Sequence, residues 1–255
     1  MRQSAYRADP NVPLVVAGVN SRTLDASTQL VANPNCTTIP FALAARPLAS
    51  RWGLHAATVS TYQAVSGAGI GPLDEFLADA HRGYAEHDRL GRAFDASHYA
   101  GNTVPHNGKT DETGFSAEER KLTFESRKIL GLPELSISAQ CCRVPVAVGH
   151  YLNAWITLGE TADAEAIESV LGDDSTAPFV RLLRGPAGDG LSALSCVADR
   201  DRALVGRLRP DARDASGRSW CITVAGDNLR LGAATNAVRV ASKWFPSADA
   251  ELQSP

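Results

Sequence analysis

Cys36 is the residue best placed to do chemistry. It follows the extended run STQLVANPN and precedes TTIPFALAARPLASRW, whose apolar positions Ile39, Phe41, Leu43, Ala44 and Leu48 keep close to helical spacing. A cysteine at that junction sits in the first turn of a helix. Unpaired N–H groups and the helix dipole there favour the thiolate, which is the nucleophilic form. Asn35 is a capping residue for the same helix. Placement alone suits a buried structural cysteine equally well. Glu118 and Lys121 lie three apart on a helical segment and share a face, which spacing alone reads as solvated. Cys141 and Cys142 are adjacent on a strand and point to opposite faces, which argues against both ligating one metal. No Cys or His spacing fits a zinc site.

The elements that must hold these residues follow from periodicity and punctuation. VPLVVAGVN (Val12 to Asn20) and the stretch ending at Asn33-Pro34 read as two short strands, the second closed by proline. LHAATVSTYQAVSGAG is a strand followed by a glycine-rich turn, and PLDEFLADAHRGYAEH is a helix with Pro72 at its start. His98 to Ser116 reads as a long polar loop. AEERKLTFESRKILG is a helix with a glycine stop, and ISAQCCRVPVAVGHYLNAWITLG is a strand pair or one long bent strand. ADAEAIESVLGD is a short helix. APFVRLLRG, LSALSCVADRDRALVGRLRPD and RSWCITVAGD supply further strands, and DNLRLGAATNAVRVASKWF is a helix capped by Asp227 or Asn228. Helices and strands mix without strict alternation, which predicts an α+β sheet domain with helices on one face.

The chain has 255 residues and a formal net charge of −3, with Lys and Arg scattered rather than clustered. That is not the basic footprint of a nucleic-acid binder. No apolar run reaches the ~18 residues of a membrane-spanning helix, and MRQSAYRADP lacks the apolar stretch of a secretory signal. The expected location is the cytoplasm, where five cysteines stay reduced. Cys196 and Cys221 fall in apolar runs read as core strands.

Several motifs, in order, give a more specific reading. NPNCTTI (Asn33 to Ile39) resembles the nucleophile motif of aspartate-β-semialdehyde dehydrogenases, and STYQAVSGAG (Ser60 to Gly69) is similar to their glutamine segment. NTVPH (Asn102 to His106), EERKL (Glu118 to Leu122), CRVPVAVGH (Cys142 to His150) and DNLRLGAATNAV (Asp227 to Val238) follow in the family's order. SAYRADPNVPLVV (Ser4 to Val16) resembles the approach to the phosphate site.

The resemblance implies an NADP-dependent conversion of aspartyl phosphate to aspartate semialdehyde through a Cys36 thioester, a device that splits one difficult step into two. It implies His150 as general acid/base for the thiol proton and Gln63 as the amide that holds Cys36 and the acyl group in register. Arg143 would clamp the substrate carboxylate, with Asn35 beside it. Glu118 would meet the substrate ammonium, and Lys121 and Arg7 the phosphate. Ser66, Gly67 and Asn228 are implied at the nicotinamide end of the cofactor. No metal is implied. His55, His81, His87 and His98 lie outside this context and read as surface or structural.

The same resemblance implies a glyceraldehyde-3-phosphate-dehydrogenase-like catalytic domain over residues 36–226, with a mixed or antiparallel sheet. Residues 1–35 would be a remnant of a Rossmann-type NADP-binding domain, and 227–255 a helix returning to it. The glycine-rich phosphate loop of that domain has no counterpart here. Gly67, Gly69 and Gly71 do not supply it, because the third glycine comes one residue early for G-x-G-x-x-G. Weak or absent NADP binding is therefore expected, as is an apolar surface around Val12, Val31 and the last helix. Tyr151 departs from the short polar residue usual after the histidine and is expected to reshape the site. Implied partners are the small-molecule substrate and a second copy in a homodimer, within lysine, threonine and methionine biosynthesis. A reductase of another acyl phosphate and a non-catalytic dimerising remnant are the competing readings.

Overall fold

The computed structural model describes residues 6–82, 99–105 and 110–245. Its centre is a seven-stranded mixed sheet in the order β2-β3-β1-β4-β7-β6-β5. The strands are β1 (Leu54–Gln63), β2 (Val104–Pro105), β3 (Ser136–Arg143), β4 (His150–Leu158), β5 (Val180–Leu182), β6 (Ala203–Pro210) and β7 (Ser219–Gly226). β1 runs parallel to β3 and antiparallel to β4. The segment from Ile137 to Gly159 therefore makes two strands that are not paired with each other, because β1 lies between them.

Three helices cover one face: α1 (Thr38–Trp52), α3 (Ala117–Leu130) and α4 (Ala164–Gly172). Strands β3 and β4 alternate as a one-sided sheet should, whereas β7 is buried throughout. In β4, His150, Leu152, Ala154, Ile156 and Leu158 are buried against the helices, while Tyr151, Asn153, Trp155 and Thr157 are only half-buried on the far side. On that far side α5 (Gly185–Asp189) and a 3₁₀ turn over Ala193–Ala198 cover the β6–β7 edge, where Leu191, Leu204 and Ala225 pack together. The rest of this face is open among the described residues.

Local chemistry sets the boundaries. Ser116 and Glu119 form a reciprocal capping box at the start of α3, and Asp163 caps α4. α2 (Ile70–Arg82) starts two residues before Pro72. The segment 193–198 was expected as a strand and is a 3₁₀ turn instead, closed by Ser192 and Ser195 bonding each other's backbone and side chain. Cys196 is buried in that turn rather than in a strand. Within the expected loop from His98 to Ser116, Val104–Pro105 pairs with β3. His87, His98 and His106 lie outside the described residues; His55 is exposed.

The N-terminal stretch differs most from expectation. Val12, Leu14, Val16 and Val19 are buried in the main core, not left on an apolar surface. They form no strands: one isolated bridge joins Leu14 to Ala32. Side-chain amides do the work of a ladder. Asn20 accepts from Val16 N–H at 2.9 Å and donates to the Leu14 carbonyl at 2.9 Å. Asn236 accepts from Ala17 N–H and donates to the Val15 carbonyl, at 2.9 and 3.0 Å. Lys128 gathers the carbonyls of Arg7, Asp9 and Val12 on one ammonium. The last helix, α6 (Asn236–Trp244), does keep Val238 exposed.

Candidate active site

Topology brings the candidate residues to one end of the sheet. Gln63 ends β1, Arg143 ends β3 directly opposite it, and His150 begins β4. All three are buried. The turn leading into α1 lies above them and carries Cys36. The structure thus brings together Arg7, Asn35, Cys36, Gln63, Ser66, Gly67, Glu118, Lys121, Arg143 and Asn228 around a cavity of about 680 Å³. His150 stands behind Cys36.

Cys36 Sγ lies 3.1 Å from His150 Nε2. The other ring nitrogen, Nδ1, accepts a hydrogen bond from the backbone N–H of Ala64 at 3.0 Å. An Nδ1 that accepts carries no proton, so the neutral ring holds its proton on Nε2, facing the sulfur. Gly149 precedes His150 with φ +107, and a Cβ there would stand 2.4 Å from the Ala193 carbonyl oxygen. Glycine is thus what lets the histidine turn pack against the 3₁₀ segment.

The thiol does not have the low pKa expected from helix placement. Burial pushes it up to about 12 and Glu118 adds to the rise, while Arg143 and Arg7 oppose it. The helix start does not offset the loss of water and a neighbouring carboxylate. At neutral pH Cys36 is therefore a protonated thiol.

Asn35 is fixed on every polar atom. Its side-chain oxygen accepts from the Thr37 N–H at 2.9 Å and from the Thr37 hydroxyl at 2.6 Å, which closes the turn into α1, although the cap position is Thr37 and not Asn35 as expected. Its amide nitrogen donates to Glu118 at 2.7 Å, and its backbone N–H donates to Glu125 at 2.7 Å. Glu118 also takes Lys121 Nζ at 3.3 Å, an i,i+3 pair that is half-buried rather than solvated. Glu125 lies seven residues beyond Glu118 on the same face of α3 and pairs with Arg7 at 3.3 Å. Burial raises its carboxyl pKa, opposed by Arg7.

Arg143 donates from Nη1 to the Ala64 carbonyl at 2.7 Å. The Gln63 amide donates to Thr61 at 3.2 Å rather than to Cys36. Asn228 ties two loops together: it donates to Ser66 Oγ and accepts from Gly149 N–H, each at 2.9 Å. Asp227, not Asn228, caps the turn that follows, accepting from Leu229 and Arg230 N–H. That turn, Arg230–Thr235, is π-helical, a geometry found often at functional sites. It presses Gly232 onto the nucleophile: a Cβ there would meet Cys36 O at 2.9 Å and Cys36 Cβ at 3.0 Å.

Tyr151 does not enter the site. It alternates with His150 along β4 and stands on the open face, edge-to-face with Tyr62 at 5.8 Å. Two participants were not foreseen from sequence. Glu125 was legible as a second acidic residue two helical turns from Glu118. Ala64 acts through its backbone and left no side-chain signal. Among the described residues no group of His, Cys, Asp or Glu is arranged to hold a metal ion, and no helix is long and apolar enough to cross a membrane.

Residues 45–231 match a family model described as semialdehyde dehydrogenase, dimerisation domain. The chain is 38% identical over 252 residues to an aspartate-semialdehyde dehydrogenase of Corynebacterium melassecola, covering 93% of this chain and 70% of the relative. The fold superposes on aspartate semialdehyde dehydrogenase II of Vibrio cholerae, solved in complex with ASA, with a TM-score of 0.85 and 30% identity over 96% of this chain and 71% of that one. A Candida albicans aspartate semialdehyde dehydrogenase solved with NADP shares the fold at a TM-score of 0.70 and 22% identity, over 96% of this chain and 69% of that one.

Proposed function

The chain belongs to the aspartate-semialdehyde dehydrogenase family, and from that premise we propose that it interconverts aspartyl phosphate and aspartate semialdehyde through a thioester on Cys36. The observation that carries this is the 3.1 Å approach of Cys36 Sγ to His150 Nε2, in a cavity walled by Arg7, Lys121, Arg143 and Glu118. Arg7 and Lys121 are the cations assigned to the phosphate. The buried Arg143 guanidinium and Glu118 carboxylate match the α-carboxylate and α-ammonium of an aspartyl group.

In the reductive direction the Cys36 sulfur bonds to the acyl carbon, the carbon–oxygen bond to phosphate breaks, and the thiol proton leaves with the phosphate. Arg7 and Lys121 offset the charge that gathers on that leaving group. Arg143 and Glu118 hold the amino-acid end still. Gln63, steadied by Thr61, lines the cavity with Cys36 and keeps the acyl group in register. Bound against Ser66, Gly67 and Asn228, NADPH would supply the hydride. As the carbon–sulfur bond breaks, the Nε2–H of His150 steadies the departing thiolate by hydrogen bond, the aldehyde leaves, and a proton from solvent restores the thiol.

The fit to a nicotinamide ring rests on the small residues beside Cys36. Gly67 sits against Arg143 and His150, where a Cβ would come within 2.9 Å of the guanidinium. Ser66 and Asn228 hold the edge of that cradle through their mutual hydrogen bond. The chain acts as a homodimer, and the open sheet face with Tyr62, Tyr151 and Trp155 is the surface we assign to the second copy. Five free cysteines suit a reducing cytoplasm, and the role belongs to amino-acid biosynthesis.

The test is phosphate-dependent reduction of NADP by the purified protein with aspartate semialdehyde. Cys36→Ala should abolish it. Activity that persists in that variant would remove Cys36 from the reaction.

A further inference from the structure

Glu125 is a fully buried carboxylate with two different clients. One oxygen accepts the backbone N–H of Asn35 at 2.7 Å, one residue before the nucleophile. The other pairs with Arg7 Nη1 at 3.3 Å, from side chains that are 0% and 11% exposed. Arg7 lines the same cavity as Cys36, whereas Glu125 does not. A carboxylate that only balanced a buried arginine would not need its second oxygen on the backbone of the nucleophile turn.

We propose that Glu125 is a positioning residue that ties the phosphate-facing guanidinium of Arg7 to the turn carrying Cys36. One rigid group thereby sets the distance between the leaving phosphate and the sulfur. The inference rests on the reading of Arg7 as a phosphate contact. The bonds to Glu125 are charge-assisted, a class stronger than neutral ones, and α3 supplies a stiff mount for them. Glu118, two turns earlier on that helix, holds the Asn35 side chain in the same way. Asn35 is thus clasped at both ends by one helix face.

Substitution separates the two jobs. Glu125→Gln keeps a carbonyl oxygen for the Asn35 N–H but offers Arg7 an uncharged amide. Glu125→Leu removes both contacts. The readout is alkylation of Cys36 by iodoacetamide at mildly alkaline pH, followed by peptide mass spectrometry, with inorganic phosphate titrated as the protecting anion. Neither turnover nor cofactor is needed.

Phosphate should protect Cys36 in the wild type, and Arg7→Gln should weaken that protection. Glu125→Gln should raise the half-protecting phosphate concentration about five-fold or more, the scale of one charge-assisted contact, while the phosphate-free rate stays within about two-fold. Glu125→Leu should change both. Glu125→Gln added to Arg7→Gln should shift protection no further, because both act through one guanidinium. Unchanged protection in Glu125→Gln, or full additivity in the double variant, overturns the proposal. If Glu125→Gln does not fold, Glu125→Asp carries the same test: charge is kept, reach is shortened, and the half-protecting concentration should still rise. Absence of protection in the wild type would instead fail the phosphate reading itself, a result visible before any variant is made.

Discussion

The backbone N–H of Ala64 donates to His150 Nδ1 at 3.0 Å, and this one bond decides which way the histidine can act. With Nδ1 occupied as an acceptor, the proton of the neutral ring sits on Nε2 and points at Cys36. The general acid/base role implied by sequence resemblance becomes, in this geometry, that of a hydrogen-bond donor to the sulfur, because release of the one Nε2 proton would leave an imidazolate. The partner is a main-chain group, so the tautomer does not depend on the identity of residue 64.

His150→Ala removes the donor that faces the sulfur. Its kcat should fall by about 10²–10³ with KM for aspartate semialdehyde little changed, the usual scale for loss of one preorganised donor to a developing anion. Steady-state kinetics decide this. A variant that kept most of its kcat would reduce His150 to an orienting role.

The raised thiol pKa of Cys36 makes its reactivity climb with pH. With a pKa near 12, the thiolate fraction in the ligand-free protein should increase about tenfold per pH unit between roughly pH 7 and 10. Glu118 raises that pKa, so Glu118→Gln should lower it and speed alkylation at any fixed pH in that range. Rates of Cys36 modification across pH measure both effects. A plateau near pH 8 in the wild type would contradict the assignment.

Gly232 is the closest neighbour of the nucleophile from the last part of the chain. A methyl group there would have to displace Cys36 backbone atoms 2.9–3.2 Å away, not a flexible side chain. Gly232→Ala should cost about 1–3 kcal/mol of stability and lower kcat more than it changes phosphate KM. Denaturant unfolding and kinetics together test this. A variant of wild-type stability and rate would show that the π turn can move freely.

The open sheet face gives an assembly prediction. Trp155 is half-buried there, and Trp155→Glu should place a charge in the dimer contact and shift the protein toward monomer in sedimentation velocity. Unaltered dimer at low micromolar protein would assign the contact elsewhere.

Parts of this molecule were legible from sequence for definite reasons. The glycine stop after Leu130, the helix after Cys36 and the alternating strands each rest on a local rule. The ordered motifs around Cys36, Gln63, Arg143 and His150 located the cavity. Val12 is expected on an apolar surface, whereas Val12, Leu14, Val16 and Val19 pack into the core without forming a strand. Periodicity reports which side chains leave water and says nothing of which groups satisfy the backbone. Here Asn20 and Asn236 do so, the latter from more than two hundred residues away. The thiol pKa was misjudged for a similar reason. A helix start is a local feature, whereas burial and the approach of Glu118 are tertiary ones. Tyr151 was placed in the site by adjacency in sequence, although strand alternation sends it to the opposite face.

Asn236 also holds Asn33 Oδ1 at 2.7 Å, so the first residue of α6 grips the stretch that leads into the nucleophile. Bonds across such sequence separations close late, because their loop-closure entropy is met only once the intervening chain is ordered. During synthesis α1 and strands β1 to β4 emerge well before Gly232 and Asn236. Until those residues leave the ribosome, the turn carrying Cys36 lacks its lid and its tether. The reactive centre is therefore completed only once the π turn and α6 have been made, and a nascent chain halted before them would hold the sulfur without the enclosure that governs it.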